Sequence, residues 1–99
     1  MTKSKSTQSK EVAPIKIERV QTGVRIEKRM LKVLKALADY LDISLGDLLE
    51  GLVLHAFEGK SPFSEETLAR IATLKEVYNM DYEVRASHRL IEETDEGAS

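Results

Sequence analysis

Residues 20–57 decide the fold of this chain and read VQTGVRIEKRMLKVLKALADYLDISLGDLLEGLVLHAF. The first seven residues predict one short strand, and the rest predict two helices. A lone strand leaves its backbone N–H and C=O groups without a partner inside its own helical unit, and unpaired buried backbone is costly. The simplest partner is the same strand of a second copy, so this stretch predicts a homodimer.

The strand is expected to begin near Arg19. Ile15 and Ile17 have the opposite parity to the later apolar residues, and one strand cannot place both sets on one face because its side-chain period is two. The even positions are expected to form the core face, and they are Val20, Thr22, Val24 and Ile26. The odd positions are expected to face outward, and they are Arg19, Gln21, Gly23 and Arg25.

The first helix is expected to run from Glu27 or Lys28 to Leu41. Apolar residues recur there at three- and four-residue spacings, which puts them on one side of a helix. Ala, Leu, Lys, Met and Glu dominate the stretch, and all five favour helix. A turn at residues 42–43 then separates it from the second helix.

The second helix is expected to begin after Ser44, a good N-cap residue, with Asp47 at the third helical position. Gly59 is expected to end it. The helix is apolar around much of its circumference, which indicates packing against both the first helix and a second subunit. The residues expected to be buried are Leu45, Leu48, Leu49, Leu52, Val53, Ala56 and Phe57.

A third helix is expected after Ser61 or Ser64, either of which can cap it, and it should end near Asn79. A fourth, weaker helical stretch is expected over residues 82–93. The fold class is therefore mainly α, with one or two helices following the strand and two core helices. The chain divides into a flexible basic arm (1–18), a strand–helix–helix domain (19–59), a C-terminal helical extension (60–93) and a loose tail (94–99).

Charge is distributed unevenly along the chain. Residues 1–29 hold eight basic and three acidic side chains, whereas residues 30–99 hold seven basic and 14 acidic ones. Contact with a polyanion is therefore expected at the N-terminal end, although a solubilising tail would have the same composition. The chain has no cysteine, no apolar run long enough to span a membrane and no signal-like N-terminus, so a cytoplasmic protein is expected.

Residues 20–57 resemble the ribbon-helix-helix (MetJ/Arc/CopG-type) DNA-binding fold. The resemblance lies in Gly23-Val-Arg-Ile26, in the helix 28–41, in the short turn and in Ser44-Leu-Gly-Asp-Leu-Leu49. It implies that two strands pair antiparallel across the dimer axis and enter the major groove of double-stranded DNA. The chain would then be a sequence-specific DNA-binding protein and a transcriptional regulator.

The resemblance also implies which residues touch DNA. Gln21, Gly23 and Arg25 occupy the base-contacting positions of the ribbon; Arg25 could pair with guanine and Gln21 with adenine. The positions implied to contact the DNA backbone are Arg19, Lys28, Ser44, Leu45 and Gly46, the last three through the N-terminus of the second helix. The alternative for Arg25 is a salt bridge with Glu27 or Glu18, and for Ser44 a plain N-cap.

Three other classes of function compare with this one. A helix-turn-helix protein would place its second helix in the groove, but that helix offers the acidic residues Asp47, Glu50 and Glu58. An enzyme is not expected, since His55 and His88 stand 33 residues apart with no paired nucleophile, and neither metal nor cofactor is expected. An antitoxin-like or other protein-interaction module remains open, with weak or no DNA binding and a protein partner on residues 60–93.

Overall fold

The computed structural model describes residues 13–93, so the expectations for residues 1–12 and for the tail 94–99 lie outside the described residues. Within that range the chain forms three α-helices: α1 (Lys28–Leu41), α2 (Leu45–Phe57) and α3 (Glu65–Val77). A short 3-10 turn (Val84–Ala86) follows. The prediction of a mainly α protein is confirmed.

Each helix begins at a side chain that satisfies a free backbone N–H of the first turn. The Ser44 hydroxyl accepts from the Asp47 N–H at 3.1 Å, as predicted for α2. Ser64 does the same for α3 through the Thr67 N–H at 3.2 Å, which selects it over Ser61 as the cap. At α1 the carboxylate of Glu27 accepts from the Met30 N–H at 3.0 Å.

Each helix is also followed by a residue in the left-handed region: Asp42 (φ 59°), Gly59 (φ 67°) and Asn79 (φ 56°). In each case the next N–H reaches back to a carbonyl five residues earlier, which closes the helix end. These bonds are Ile43 to Ala38 (3.0 Å), Lys60 to His55 (2.9 Å) and Met80 to Lys75 (2.8 Å). The predicted ends of α2 and α3 are therefore confirmed.

The core lies around α1, which packs against both other helices. Leu37 and Ala38 of α1 and Leu48 of α2 form its buried cluster, and Ile71 and Leu74 of α3 pack against it. Three cations also lie over tyrosine rings between α1 and the chain from α3 onward: Arg70 over Tyr40, Lys32 over Tyr78 and Arg29 over Tyr82. The third helix is thus part of the same core as the first two.

The burial predicted for α2, against both α1 and a second subunit, is met only in part within a single chain. Of the seven residues expected to be buried, only Leu48 is, while Leu45, Leu49 and Leu52 are half-buried. Val53, Ala56 and Phe57 are exposed, Phe57 by 82%. The reason is that α1 covers one side of α2, and nothing in the described part of one chain covers the other.

The predicted strand over residues 19–26 is absent from residues 13–93 of this chain. Backbone–backbone hydrogen bonds in this range begin at Glu27, so residues 13–26 have no ladder. Val20, Thr22 and Val24, expected on a core face, are exposed, and Ile26 is half-buried. A strand requires a partner to pair with, and residues 13–93 of a single chain supply none.

The fourth helix predicted over residues 82–93 is also wrong. Only Val84–Ala86 turn, as a 3-10 helix, and the segment then passes through His88 in the left-handed region (φ 65°). A non-glycine residue in that conformation interrupts a right-handed helix.

Candidate nucleic-acid interface

The three residues predicted to contact bases lie on the exposed segment that precedes α1. Gln21, Gly23 and Arg25 are all exposed, and a Cβ placed on Gly23 would meet nothing within 4 Å. Gly23 therefore presents open backbone between two polar side chains. Of the positions predicted to contact the DNA backbone, Arg19, Lys28, Ser44 and Gly46 are exposed and Leu45 is half-buried.

A shallow groove joins this segment to the start of α2. Residues 17–20 and Thr22 line one side of it, and Ser44, Gly46 and Leu49 lie on the other, together with the acidic Asp47 and Glu50. The structure thus brings Arg19 close to the N-terminus of α2, whereas Lys28 does not line the groove. Asp47 lies in the first turn of α2, at the positive end of the helix dipole.

Arg19 forms a bidentate ion pair with Glu50 across the groove. Its Nε–H and Nη2–H donate to the two carboxylate oxygens, each at 2.9 Å. The hydrogen bonds lower the pKa of Glu50 and raise that of Arg19. This pair holds the segment against α2. Because Glu50 lies 31 residues from Arg19, the sequence did not indicate this role.

Arg25 forms a second bidentate ion pair, with Glu92 near the end of the described residues. Its Nε and Nη2 donate to the two carboxylate oxygens of Glu92. The pair lies at the surface, with the Arg25 side chain 82% exposed and that of Glu92 59% exposed. Neither Glu27 nor Glu18, the partners named for Arg25 in the alternative to DNA contact, holds it.

Glu27 is instead the centre of a hydrogen-bonded network at the start of α1. It accepts from the Met30 N–H, from Arg29 Nε at 3.0 Å and from the Tyr82 hydroxyl. Arg29 also donates through Nη1 to the Asn79 carbonyl at 3.0 Å and to Asp81 at 3.2 Å. The chain that follows α3 is thereby held against the first turn of α1.

This network shifts two pKa values in opposite directions. Burial alone would raise the pKa of Glu27, but hydrogen bonds from Tyr82, Arg29 and Met30 outweigh it and lower the pKa to about 2. Burial, aided by the hydrogen bond to Glu27, raises the pKa of Tyr82 to about 12. Glu27 therefore remains charged, and its carboxylate is already hydrogen-bonded to groups of the same chain.

No local pattern in the sequence indicates the roles of Glu50, Tyr82 and Glu92. Their partners lie 31, 55 and 67 residues away. The one usable signal was the uneven charge, because a basic N-terminal part and an acidic remainder attract each other. That signal identifies an attraction but not the pairs that form.

Other chemistry finds little support in residues 13–93. No group of three or more His, Asp or Glu side chains in this range could hold a metal ion. His55 is exposed, with Nδ1 2.8 Å from the Gly51 carbonyl of its own helix, and His88 is exposed elsewhere. Within the same range, no helix is long and apolar enough to cross a membrane.

Comparisons of the chain with protein-family models, with curated proteins and with solved structures find no match. Its function is therefore inferred from its own residues.

Proposed function

We propose that this protein is a homodimeric, sequence-specific double-stranded DNA-binding protein of the ribbon-helix-helix class, acting as a transcriptional regulator. The observation that carries the proposal is the backbone of residues 13–26, before α1, which makes no backbone–backbone hydrogen bond to any residue from 13 to 93. Such a row of N–H and C=O groups is a template for pairing with another strand. The segment from a second copy would complete a two-stranded ribbon, which fits the major groove.

The exposed apolar residues support pairing between two copies. Leu49, Val53 and Phe57 recur every four residues along α2 and share one side, adjacent to the side that carries Leu48 into the core. Leu49 lines the same groove as Val20, so this side continues into the N-terminal segment. A second copy would cover both surfaces at once and form the buried side of the ribbon.

In this arrangement the remaining side chains of the segment face DNA. Arg25 would pair with guanine O6 and N7 and Gln21 with adenine, while Gly23 would let the backbone approach a base edge closely. Arg19, Lys28 and the N-terminus of α2 at Ser44, Leu45 and Gly46 would contact phosphates. Because the ion pairs of Arg19 and Arg25 lie at the surface, both guanidinium groups can exchange a carboxylate for DNA.

Selection of bound sequences from random double-stranded DNA, followed by substitution of Arg25, tests this function. A palindromic motif is expected, and Arg25→Ala should weaken binding to it by about 10- to 100-fold and relax the preference at one position per half-site. Arg85→Ala, at an exposed arginine of the 3-10 turn, is the control and should leave the motif unchanged. Equal affinity and motif for Arg25→Ala and the wild type would refute the role of Arg25.

An interaction module that binds a protein partner through residues 60–93 is the second candidate. It is favoured by the apolar side chains exposed after α3, with Val84 83% and Ile91 91% exposed in an acidic stretch. A dimer with no affinity for any DNA at low salt would support this candidate over the first. Copurification of a small basic protein would point to an antitoxin-like pairing.

A further inference from the structure

The residues after α3 form a connected path from the start of α1 to Arg25. Asn79 and Asp81 bind Arg29, and Tyr82 binds Glu27, so the path is anchored at the first turn of α1. The 3-10 turn then redirects the chain, with the Arg89 N–H bonded to the Ala86 carbonyl at 2.9 Å. Glu92, four residues after His88, then accepts hydrogen bonds from Arg25.

The carboxylate of Glu92 occupies the donors that Arg25 would offer to DNA. A guanidinium presents the same planar fork to a carboxylate, to a phosphate and to the acceptor pair of guanine. Arg25 cannot bind Glu92 and a base through the same Nε–H and Nη2–H. Glu93, the next residue, forms no ion pair among residues 13–93, so the contact belongs to one carboxylate and not to the acidic stretch in general.

We infer that the C-terminal segment (residues 79–93) is an intramolecular competitor of DNA, anchored at Glu27 and Arg29 and holding Arg25 through Glu92. The inference rests on the proposed function and adds a regulation of the same site. When DNA binds, the Glu92 carboxylate leaves Arg25, while the anchor at Tyr82 keeps the segment close. A condition that detaches the segment from Arg25 would therefore strengthen DNA binding.

The test compares Glu92→Gln with Glu93→Gln, two adjacent substitutions that remove the same charge. Affinity for a short random-sequence DNA duplex is measured by fluorescence anisotropy at fixed salt, with the full-length chain. Glu92→Gln should bind about threefold more tightly than Glu93→Gln, since a single exposed ion pair has a modest effect. On an Arg25→Ala background, the two variants should bind alike.

Equal affinities for Glu92→Gln and Glu93→Gln, with clear binding by the wild type, would overturn the competition and leave the proposed function standing. A lasting advantage of Glu92→Gln on the Arg25→Ala background would also overturn it, because the effect would not pass through Arg25. If the wild type and both variants bind no duplex at low salt, then DNA binding itself fails, and the competition with it.

Discussion

Glu27 shows how one side chain can serve two parts of the chain. Its carboxylate caps α1 through the Met30 N–H and, at the same time, accepts from Tyr82 after α3. Hydrogen bonds to the charged form hold its pKa near 2, which means that the folded state binds a proton there more weakly than the unfolded chain does. The stabilisation is present above the ordinary pKa of 4.5 and is lost as the pH falls toward 2.

Glu27→Gln should therefore remove a pH-dependent part of the stability. We expect the difference in free energy of unfolding between wild type and variant to be largest near neutral pH and to shrink between about pH 4.5 and 2. Urea unfolding at a series of pH values measures it. Glu66→Gln, at an exposed first-turn glutamate of α3, serves as the control. A difference that stays constant over this pH range would contradict the assignment.

The ends of the helices show which structural features the neighbouring residues specify and which they do not. Ser44, Ser64, Gly59 and Asn79 could be recognised from the sequence because the groups they satisfy lie within a few residues. Glu27 could not, because glutamate is not among the preferred N-cap residues and one of its three partners, Tyr82, lies 55 residues away. The end of α1 is the one that a substitution could stabilise, because Asp42 adopts the left-handed region there and only glycine does so without strain.

Asp42→Gly is expected to stabilise the protein by about 0.5–1 kcal/mol, because it relieves the left-handed backbone while keeping the Ile43 to Ala38 bond. Gly59→Ala, the reverse change at the end of α2, should cost about 1–2 kcal/mol. Urea unfolding with an unchanged m-value checks both. A loss of stability in Asp42→Gly would mean that the Asp42 side chain contributes more than its backbone strain costs.

At the scale of the whole molecule, periodicity and capping residues predict the bounds of α1 and α2 and the end of α3, whereas the choice between Ser61 and Ser64 at the start of α3 comes from the structure. The conformation of the segment before α1 and the exposure of the outer side of α2 could not be predicted in the same way, because residues 13–93 of one chain neither pair the backbone of that segment nor cover that side of α2. The candidate site was only partly predictable for a similar reason. Arg19 and Arg25 were named from parity, but Glu50 and Glu92 come to them through packing across 31 and 67 residues, which no local pattern encodes.

The exposed side of α2 gives a direct test of dimer formation. Val53→Asp is expected to convert a dimer to a monomer, because it would bury a charge without a partner in an apolar interface. Leu68→Asp on α3 is the matched control: Leu68 is 47% exposed and Val53 46%, but Leu68 is not on the α2 side. Sedimentation velocity distinguishes dimer from monomer in each variant. A wild type that is monomeric at every concentration would contradict the proposed dimer.

The bond between Tyr82 and Glu27 sets an order of events during synthesis. The two residues are 55 positions apart, so at roughly 5–20 residues per second the ribosome adds Tyr82 several seconds after Glu27. Until then α1 begins without its complete cap, because the Tyr82 hydroxyl that completes it has not yet been made. The N-terminal segment is therefore made before Glu92, so it can meet a second copy before the contact between Arg25 and Glu92 forms.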